Sequence, residues 1–297
     1  MAFRCAFLSM DSLEGFFCDD DLAIEPLRRA GHEVEVVSWR ARDVDWNAFD
    51  AVVIRSPWDY QQDAGAFFAV LEEIEQSRAL LLNPLDLVRW NLRKTYLRDL
   101  EARGVRVVNT VWDGRPERSS IRRLFTALEA DEVVLKPVVG ANADHVLRVR
   151  PETIDAILPA ARRAYAESGF FAQPFRRKIV EEGEYSVVFL GGAFSHALLK
   201  TAAPGDFRVQ EEHGGGIAPV EPDSRLLARA RLAHDALPAM PLYARVDLVR
   251  DEQGDLDLME LELIEPCLYF RMDHRSPARF ANALERRLLE ESKHLGF

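Results

Sequence analysis

Short apolar runs alternate with amphipathic stretches through the first eighty residues. Phe3 to Leu8 reads as a strand, and Leu22 to Ala30 has apolar residues at helical spacing and stops at Gly31. Glu33 to Val37 and Ala51 to Ile54 predict two further strands. Gly65 to Gln76 carries Phe67, Phe68, Leu71 and Ile74 on one helical face. Strand and helix in alternation predict a small parallel sheet covered by helices. Asn83-Pro84 breaks the pattern and marks a soft domain boundary.

Beyond it the spacing predicts one helix over about Leu85 to Arg103, closed by Gly104, and a short strand, Val105 to Val108. A polar loop around Arg115 to Ser120 leads into a helix from Ile121 to Ala130. The β-branched run Glu132 to Leu135 is a strand ending on Lys136-Pro137. Pro151 to Glu167 is a helix, and Phe170 to Phe175 an aromatic strand. The last third is paired strands: Tyr185–Leu190 and Ala193–Lys200 around Gly191-Gly192, then Ala244–Arg250 and Asp255–Ile264 around Asp251 to Gly254. Helices near Asp223 to Leu237 and Pro277 to Leu289 complete an α/β chain with mixed α+β lobes.

At 297 residues the chain has room for two or three domains. Its 38 Lys and Arg against 49 Asp and Glu leave a net charge of −11, which argues against a polyanion such as nucleic acid as main partner. Three scattered cysteines form neither a disulfide framework nor a zinc motif, and fit a reducing compartment. The apolar start is interrupted at Asp11, and no run approaches the roughly 18 apolar residues of a membrane span. A cytoplasmic protein with no membrane partner is expected.

Four segments could carry chemistry. In Leu258-Met259-Glu260-Leu261-Glu262-Leu263, strand alternation puts Glu260 and Glu262 on one face and Met259, Leu261 and Leu263 on the other. An even-length turn would bring Asp247 to the same face, diagonally across from Glu260. Three carboxylates there suit a hard cation, Mg²⁺ or Mn²⁺; a solvated edge strand gives the same pattern. Lys136 followed by Pro137 to Asp144, a run of small residues, suits a phosphate or is an ordinary strand exit. Arg208 precedes Gly214-Gly215-Gly216, so an anion could meet both, or the loop is simply mobile. Arg55-Ser56-Pro57-Trp58-Asp59-Tyr60 follows a strand of the parallel sheet, where substrate crevices form, or is a turn with a packed tryptophan. Arg89 to Lys94 reads as the polar face of a helix rather than a nucleic-acid patch.

The order of these signals resembles the ATP-grasp superfamily, in particular the glutathione synthetase-like ligases. Within it the runs Arg55–Tyr60, Arg89-Trp90-Asn91 and Glu260–Pro266 resemble the cyclo-ligases of cycloserine biosynthesis, which act on an O-ureido-serine, and their uncharacterised bacterial relatives. The resemblance implies an α/β pre-ATP-grasp domain over 1–90, a lid lobe over 91–176 and a C-terminal lobe with the metal site over 177–297. It implies that Lys94 and Lys136 hold ATP phosphates, that Gln173, Pro174 and Phe175 form the adenine hinge, and that Glu184 binds ribose. Lys200 and Arg208 would meet the γ-phosphate and an acyl-phosphate, and Asp247, Glu260 and Glu262 would ligate Mg²⁺, or Mn²⁺ in its place. Glu262 stands where such ligases often have asparagine, and Ala141 and Ala143 where they often have glycine. The implied activity joins a small amino-acid-like carboxylate to an amine or hydroxylamine nitrogen, within one molecule or between two, with release of ADP and phosphate. A dipeptide or D-amino-acid ligase of the same fold is the nearest alternative; a nucleotide-binding regulatory protein without ligase chemistry is a further one. The loops Asp11–Asp20 and Arg55–Tyr60 are expected on the substrate side, and a homo-oligomer is compatible with the sequence.

Overall fold

The computed structural model describes residues 2–140 and 142–294, without the side chains of 292–294. The chain opens with β1 (Arg4–Ser9), α1 (Asp20–Arg29), β2 (Glu33–Ser38), β3 (Ala51–Ser56), α2 (Ala64–Gln76) and β4 (Leu80–Leu82). The four strands form a parallel sheet in the order β2-β1-β3-β4. β3 is buried along its whole length, because α1 covers one face of the sheet through Ile24 and Leu27 and α2 the other through Phe67, Leu71 and Ile74.

The single helix expected over Leu85–Arg103 is two, α3 (Leu85–Leu92) and α4 (Tyr96–Ala102). Arg93 is extended, and the Lys94 N–H donates to the Val138 carbonyl at 2.8 Å instead of continuing the helix. Lys94 therefore sits at a break between helices. Val105–Val108 is not a strand of a sheet either. It makes one isolated parallel bridge, Val107 to Leu258, with Val108 N–H donating to Leu258 O.

Next come β5 (Val111–Asp113), α5 (Arg118–Ala127), β6 (Val133–Pro137), β7 (Leu147–Val149), α6 (Ile154–Ala164) and β8 (Phe170–Pro174). The strands form an antiparallel sheet in the order β5-β8-β6-β7, with α5 and α6 packed on it through Ile121, Leu124, Ile154 and Ala161. β5 and β7 have three residues each, too short for a period-2 pattern to register.

The remaining elements are α7 (Lys178–Glu181), β9 (Glu184–Leu190), β10 (Ala193–Thr201), β11 (Gly216–Val220), α8 (Ser224–Asp235), β12 (Tyr243–Arg250), β13 (Leu256–Glu262) and α9 (Ser276–His294). Five strands form an antiparallel sheet, β11-β10-β9-β12-β13. Both expected hairpins are present, β9–β10 and β12–β13.

β13 is an edge strand, yet its outer edge is not bare. Asn91 accepts from Leu263 N–H and donates to Leu261 O, and the Tyr96 hydroxyl accepts from Leu261 N–H. Side chains from α3 and α4 thus take the place of a sixth strand. Asn83, fully buried where the pattern suggested a boundary, donates to Tyr243 O and Leu263 O and accepts from Leu242 N–H. Replacing Asn83 by alanine should cost about 3 kcal/mol or more, since three buried backbone groups lose their partner. Urea unfolding of the variant checks this, and a loss under about 1 kcal/mol would contradict it.

Candidate active site

The three sheets meet around one cleft, lined by Lys94, Lys136, Gln173, Pro174, Phe175, Glu184, Lys200, Arg208, Asp247, Glu260 and Glu262. β12 and β13 supply the acidic face. Asp247 lies directly opposite Glu260, and Arg245 opposite Glu262. The expected face is right but the register differs from the diagonal pairing. Arg250 pairs with Leu256, so the turn has five residues rather than an even number, and a bulge between Asp247 and Leu248 restores the parity. The bulge also overturns the expectation that Met259 faces away from the glutamates. Met259 lines the cleft, and its Sδ accepts from Lys136 Nζ at 3.1 Å.

Basic side chains are interleaved with the acids. Lys94 pairs with Glu260, and Arg245 bridges Asp247 and Glu262. Lys200, 2 % exposed, reaches Glu184 across the β9–β10 ladder at 2.5 Å and Asp247 at 3.2 Å. Ser186 donates to Asp247 at 2.5 Å. Burial opposes ionisation of Asp247, but Arg245 and Lys200 together outweigh it and hold its carboxyl below the usual range. Burial likewise opposes a charged Glu260, and Lys94 overcomes it, so its pKa is lowered. Glu262 is pushed up to about 7 by burial, with Glu260 and Asp247 adding repulsion against the pull of Arg245. Among the described residues no three carboxylates converge into a finished metal cage. The donor set is nevertheless all oxygen and shares one sheet face, and Lys94 and Arg245 neutralise it in this structure.

The opposite wall comes from the second sheet. Lys136 is half-buried and has no carboxylate partner among the described residues; burial lowers its pKa, with Glu260 pulling the other way. Gln173, at 2 % exposure, spends its Nε2 on Thr110, while its Oε1 has no partner among the described residues. Pro174 and Phe175 follow it along the cleft, with the Phe175 ring edge-on to Phe207. The loop after Lys136 is left-handed at Asn142, Ala143 and His145. At Ala143 (φ 55°) this conformation explains why glycine suits the position; Ala141 lies outside the described residues. Arg208 lines the cleft but rests on Asp206 at 2.7 Å rather than on the acidic face. Sterics account for the glycine run, since a Cβ on Gly215 would collide with the Val209 carbonyl and Gly214 is left-handed at φ 79°.

The family described as D-cycloserine synthetase DcsG, N-terminal domain, matches residues 5–83. The chain is 34 % identical over 276 residues to the cycloserine biosynthesis protein DcsG of Streptomyces lavendulae, covering 89 % of this chain and 92 % of that one. The chain belongs to the DcsG family. The crystal structure of D-cycloserine synthetase DcsG superposes with a TM-score of 0.86 at 31 % identity, over 96 % of this chain and 99 % of that one. D-alanine–D-alanine ligase from Bacillus anthracis shares the fold at 14 % identity, with a TM-score of 0.70 over 99 % of this chain and 100 % of that one. This DcsG-family member is thus an ATP-grasp enzyme, an ATP-dependent ligase of the carboxylate–amine class. That sets aside the reading as a regulatory protein without ligase chemistry. No helix among its described residues is long and apolar enough to cross a membrane.

Three features of the DcsG-family cleft lie outside what the sequence reading reached. Arg245 was readable in principle, since it shares the face of Asp247 two residues away. Met259 reaches the cleft only through the bulge. Glu265 lies beyond the end of β13, so strand alternation says nothing about it. The N-terminal loops line the cleft through Phe16, Phe17, Trp58 and Tyr60. Arg55 does not: it is buried, pairs with Asp20 at 2.9 Å, and donates to Pro266 O at 3.3 Å. Arg89 forms ion pairs with Glu72 and Asp86 along the helical surface, as a polar helix face would.

Proposed function

We propose that the protein uses ATP to activate the carboxylate of a small amino-acid-like substrate, which a nitrogen nucleophile then attacks, and that the two groups belong to one molecule. The observation that carries this reading is the alignment of Lys94, Lys136, Lys200 and Arg245 along a carboxylate-bearing strand face, inside a cleft of DcsG-family fold. Cyclisation within one molecule is favoured by the relative, which is named for cycloserine, a ring closed through a carboxyl carbon and a nitrogen. Ligation between two molecules is the second arrangement the fold allows.

The cleft fits a nucleotide on its own atoms. The unpartnered Gln173 Oε1 is a buried acceptor suited to an amino group of a base beside Pro174 and Phe175. Lys136, free of any carboxylate partner among the described residues, is suited to a phosphate, and Lys94 and Lys200 stand across from it. Glu184 is tied to Lys200, so as a ribose ligand it would share its carboxylate with that ammonium. Asp247, Glu260 and Glu262 would hold Mg²⁺, which when bound offsets phosphate charge. Arg245 and Lys94, paired with these carboxylates here, would then be available to the anionic reactants.

The chemistry balances simply. A substrate carboxylate oxygen attacks the γ-phosphorus, and the bond to the bridging oxygen of ADP breaks. The nitrogen then attacks the acyl carbon, loses a proton, and the carbon–oxygen bond breaks to release phosphate. Lysines 94, 136 and 200 with Arg208 would steady the charge on the transferring group, so no nucleophilic side chain is required. The loop carrying Asn142 would exclude water, its side chain bonding Trp58 O at 3.2 Å. Incubation with Mg·ATP and a panel of amino acids bearing aminooxy or ureido side chains should release ADP and phosphate. Release of AMP, or no acid-dependent release across the panel, would refute the reading. Mass spectrometry of the product separates cyclisation from ligation.

A further inference from the structure

Nearly every carboxylate of the cleft that is not freely exposed already has a cation or a donor. Asp247 has Arg245 and Lys200, Glu260 has Lys94, Glu262 has Arg245, Glu184 has Lys200, and Glu211 has Arg271. Among the described residues Asp144 meets only the Gln61 amide, at 3.4 Å. Glu265 is different. Its carboxylate lines the cleft, half-buried, with no hydrogen-bond or ion-pair partner among the described residues. A carboxylate placed so, in a cleft that Ile264, Trp58 and Tyr60 also line, is unfavourable unless something outside the protein's own side chains meets it.

Its position is also fixed. Trp58 Nε1 donates to the Glu265 carbonyl at 2.9 Å, Arg55 to Pro266 O, and the Tyr243 hydroxyl to Ile264 O at 2.9 Å. The first two contacts clamp the peptide segment after β13 to β3 and the loop that follows it, and the third ties it to β12, which accounts for Arg55 and Trp58 in the Arg55–Tyr60 run. The last residue of that run supplies a second group. Tyr60 is 3 % exposed, lines the cleft, and its hydroxyl has no partner among the described residues. Burial raises the pKa of that phenol, with Glu265 adding to the rise and Lys94 opposing it. A carboxyl that ionises when a cation meets it and one neutral acceptor, both held in a cleft that Trp58 also lines, suit a compact donor of positive charge. An ammonium has that shape and also interacts favourably with ring faces.

We propose that Glu265, with the Tyr60 hydroxyl, is the receptor for the ammonium group of the substrate, so that this enzyme selects zwitterionic amino acids over acids lacking the amine. The inference rests on the ligase reading above and deepens it. Glu265 acts as a specificity residue just past the strand whose earlier members would hold the metal. An uncharged analogue would leave its carboxylate buried without a partner, and that loss is the source of discrimination. Burial and then Glu262 raise its pKa to about 8, so the free carboxyl holds its proton at neutral pH and gives it up when a cation meets it.

Calorimetry on the full chain with Mg·ADP tests this, using D- and L-serine, D- and L-alanine and D-cycloserine, each against its deamino counterpart. At least one amino compound should bind ten times or more tighter than its counterpart. In Glu265→Gln that preference should vanish while ADP affinity stays unchanged, and Glu265→Asp should restore part of it. An unchanged preference in Glu265→Gln, or equal or absent binding of both members of every pair to the wild type, overturns the proposal. Failure of the ligase reading shows differently, as amine-dependent binding without ADP release from ATP.

Discussion

Lys200→Met is expected to lower kcat by about 10²–10³-fold or more and, at the same time, to destabilise the fold. Both effects come from one geometry. The Lys200 ammonium lies between Glu184 at 2.5 Å and Asp247 at 3.2 Å, with 2 % of the residue exposed. Methionine keeps the volume and removes the charge, so two buried carboxylates lose a shared cation at a cost of about 3–5 kcal/mol. The loss should depend on pH. Burial already raises the Glu184 pKa, with Lys200 as the main opposing influence, and removing Lys200 raises it further. A carboxyl with a raised folded pKa is tolerated while protonated, and stability falls as pH rises through that pKa. The melting-temperature deficit of Lys200→Met should therefore be larger at pH 8 than at pH 5. Thermal unfolding at both pH values together with steady-state kinetics checks the pair of effects. Equal deficits with near-normal kcat would contradict the role assigned to Lys200.

Glu260→Gln is expected to abolish turnover, by about 10³-fold, with the fold intact. Glu260 stands opposite Asp247 on the sheet face and pairs with Lys94. The side chains of that pair are 31 % and 17 % exposed, so solvent screens it, and the stability loss should be no more than about 1 kcal/mol. Activity suffers far more than stability because the amide keeps the shape but loses the charge that a divalent cation needs. The concentration of Mg²⁺ giving half-maximal residual activity should rise at least tenfold. Normal kcat with an unchanged Mg²⁺ requirement would remove Glu260 from the proposed metal set.

The two variants separate the influences acting on the site. Lys200 ties together β10, β9 and β12 in the interior of the sheet, so its loss is felt by the fold. Glu260 sits on the edge strand, facing the cleft, so its loss is felt by the chemistry. Asn83 is the complementary case: it lines no part of the cleft, yet it holds β12 and the end of β13 in place, and its loss should appear first as instability.

How far the sequence could be read depended on whether the deciding contact was local. β1, α1, β2, β3 and α2 were legible because each buries a face whose period is written in consecutive residues. The break at Lys94 was not. Apolar spacing runs on through Leu97 and Leu100, and what stops the helix is the Val138 carbonyl, more than forty residues away. The acidic face was predicted correctly through two departures that cancel: an odd turn reversed the parity, and the bulge reversed it again. The same bulge moved Met259 to the cleft, which alternation cannot foresee. The glycine run and the Lys136 loop were visible as unusual composition, while Arg208 resting on Asp206 was not, because that pairing depends on how the loop folds back. Glu265 stood in a run notable only for its family resemblance. It drew no role of its own, because its meaning lies in having no partner among the described residues, which only the assembled cleft displays.

The most direct test of the central claim follows an oxygen atom. An amino-acid substrate labelled with ¹⁸O in its carboxylate is turned over with Mg·ATP, and the released phosphate is examined by ³¹P NMR. Activation as an acyl-phosphate predicts ADP together with phosphate carrying one ¹⁸O atom for each product formed. Product accompanied by unlabelled phosphate, or by AMP, would contradict it.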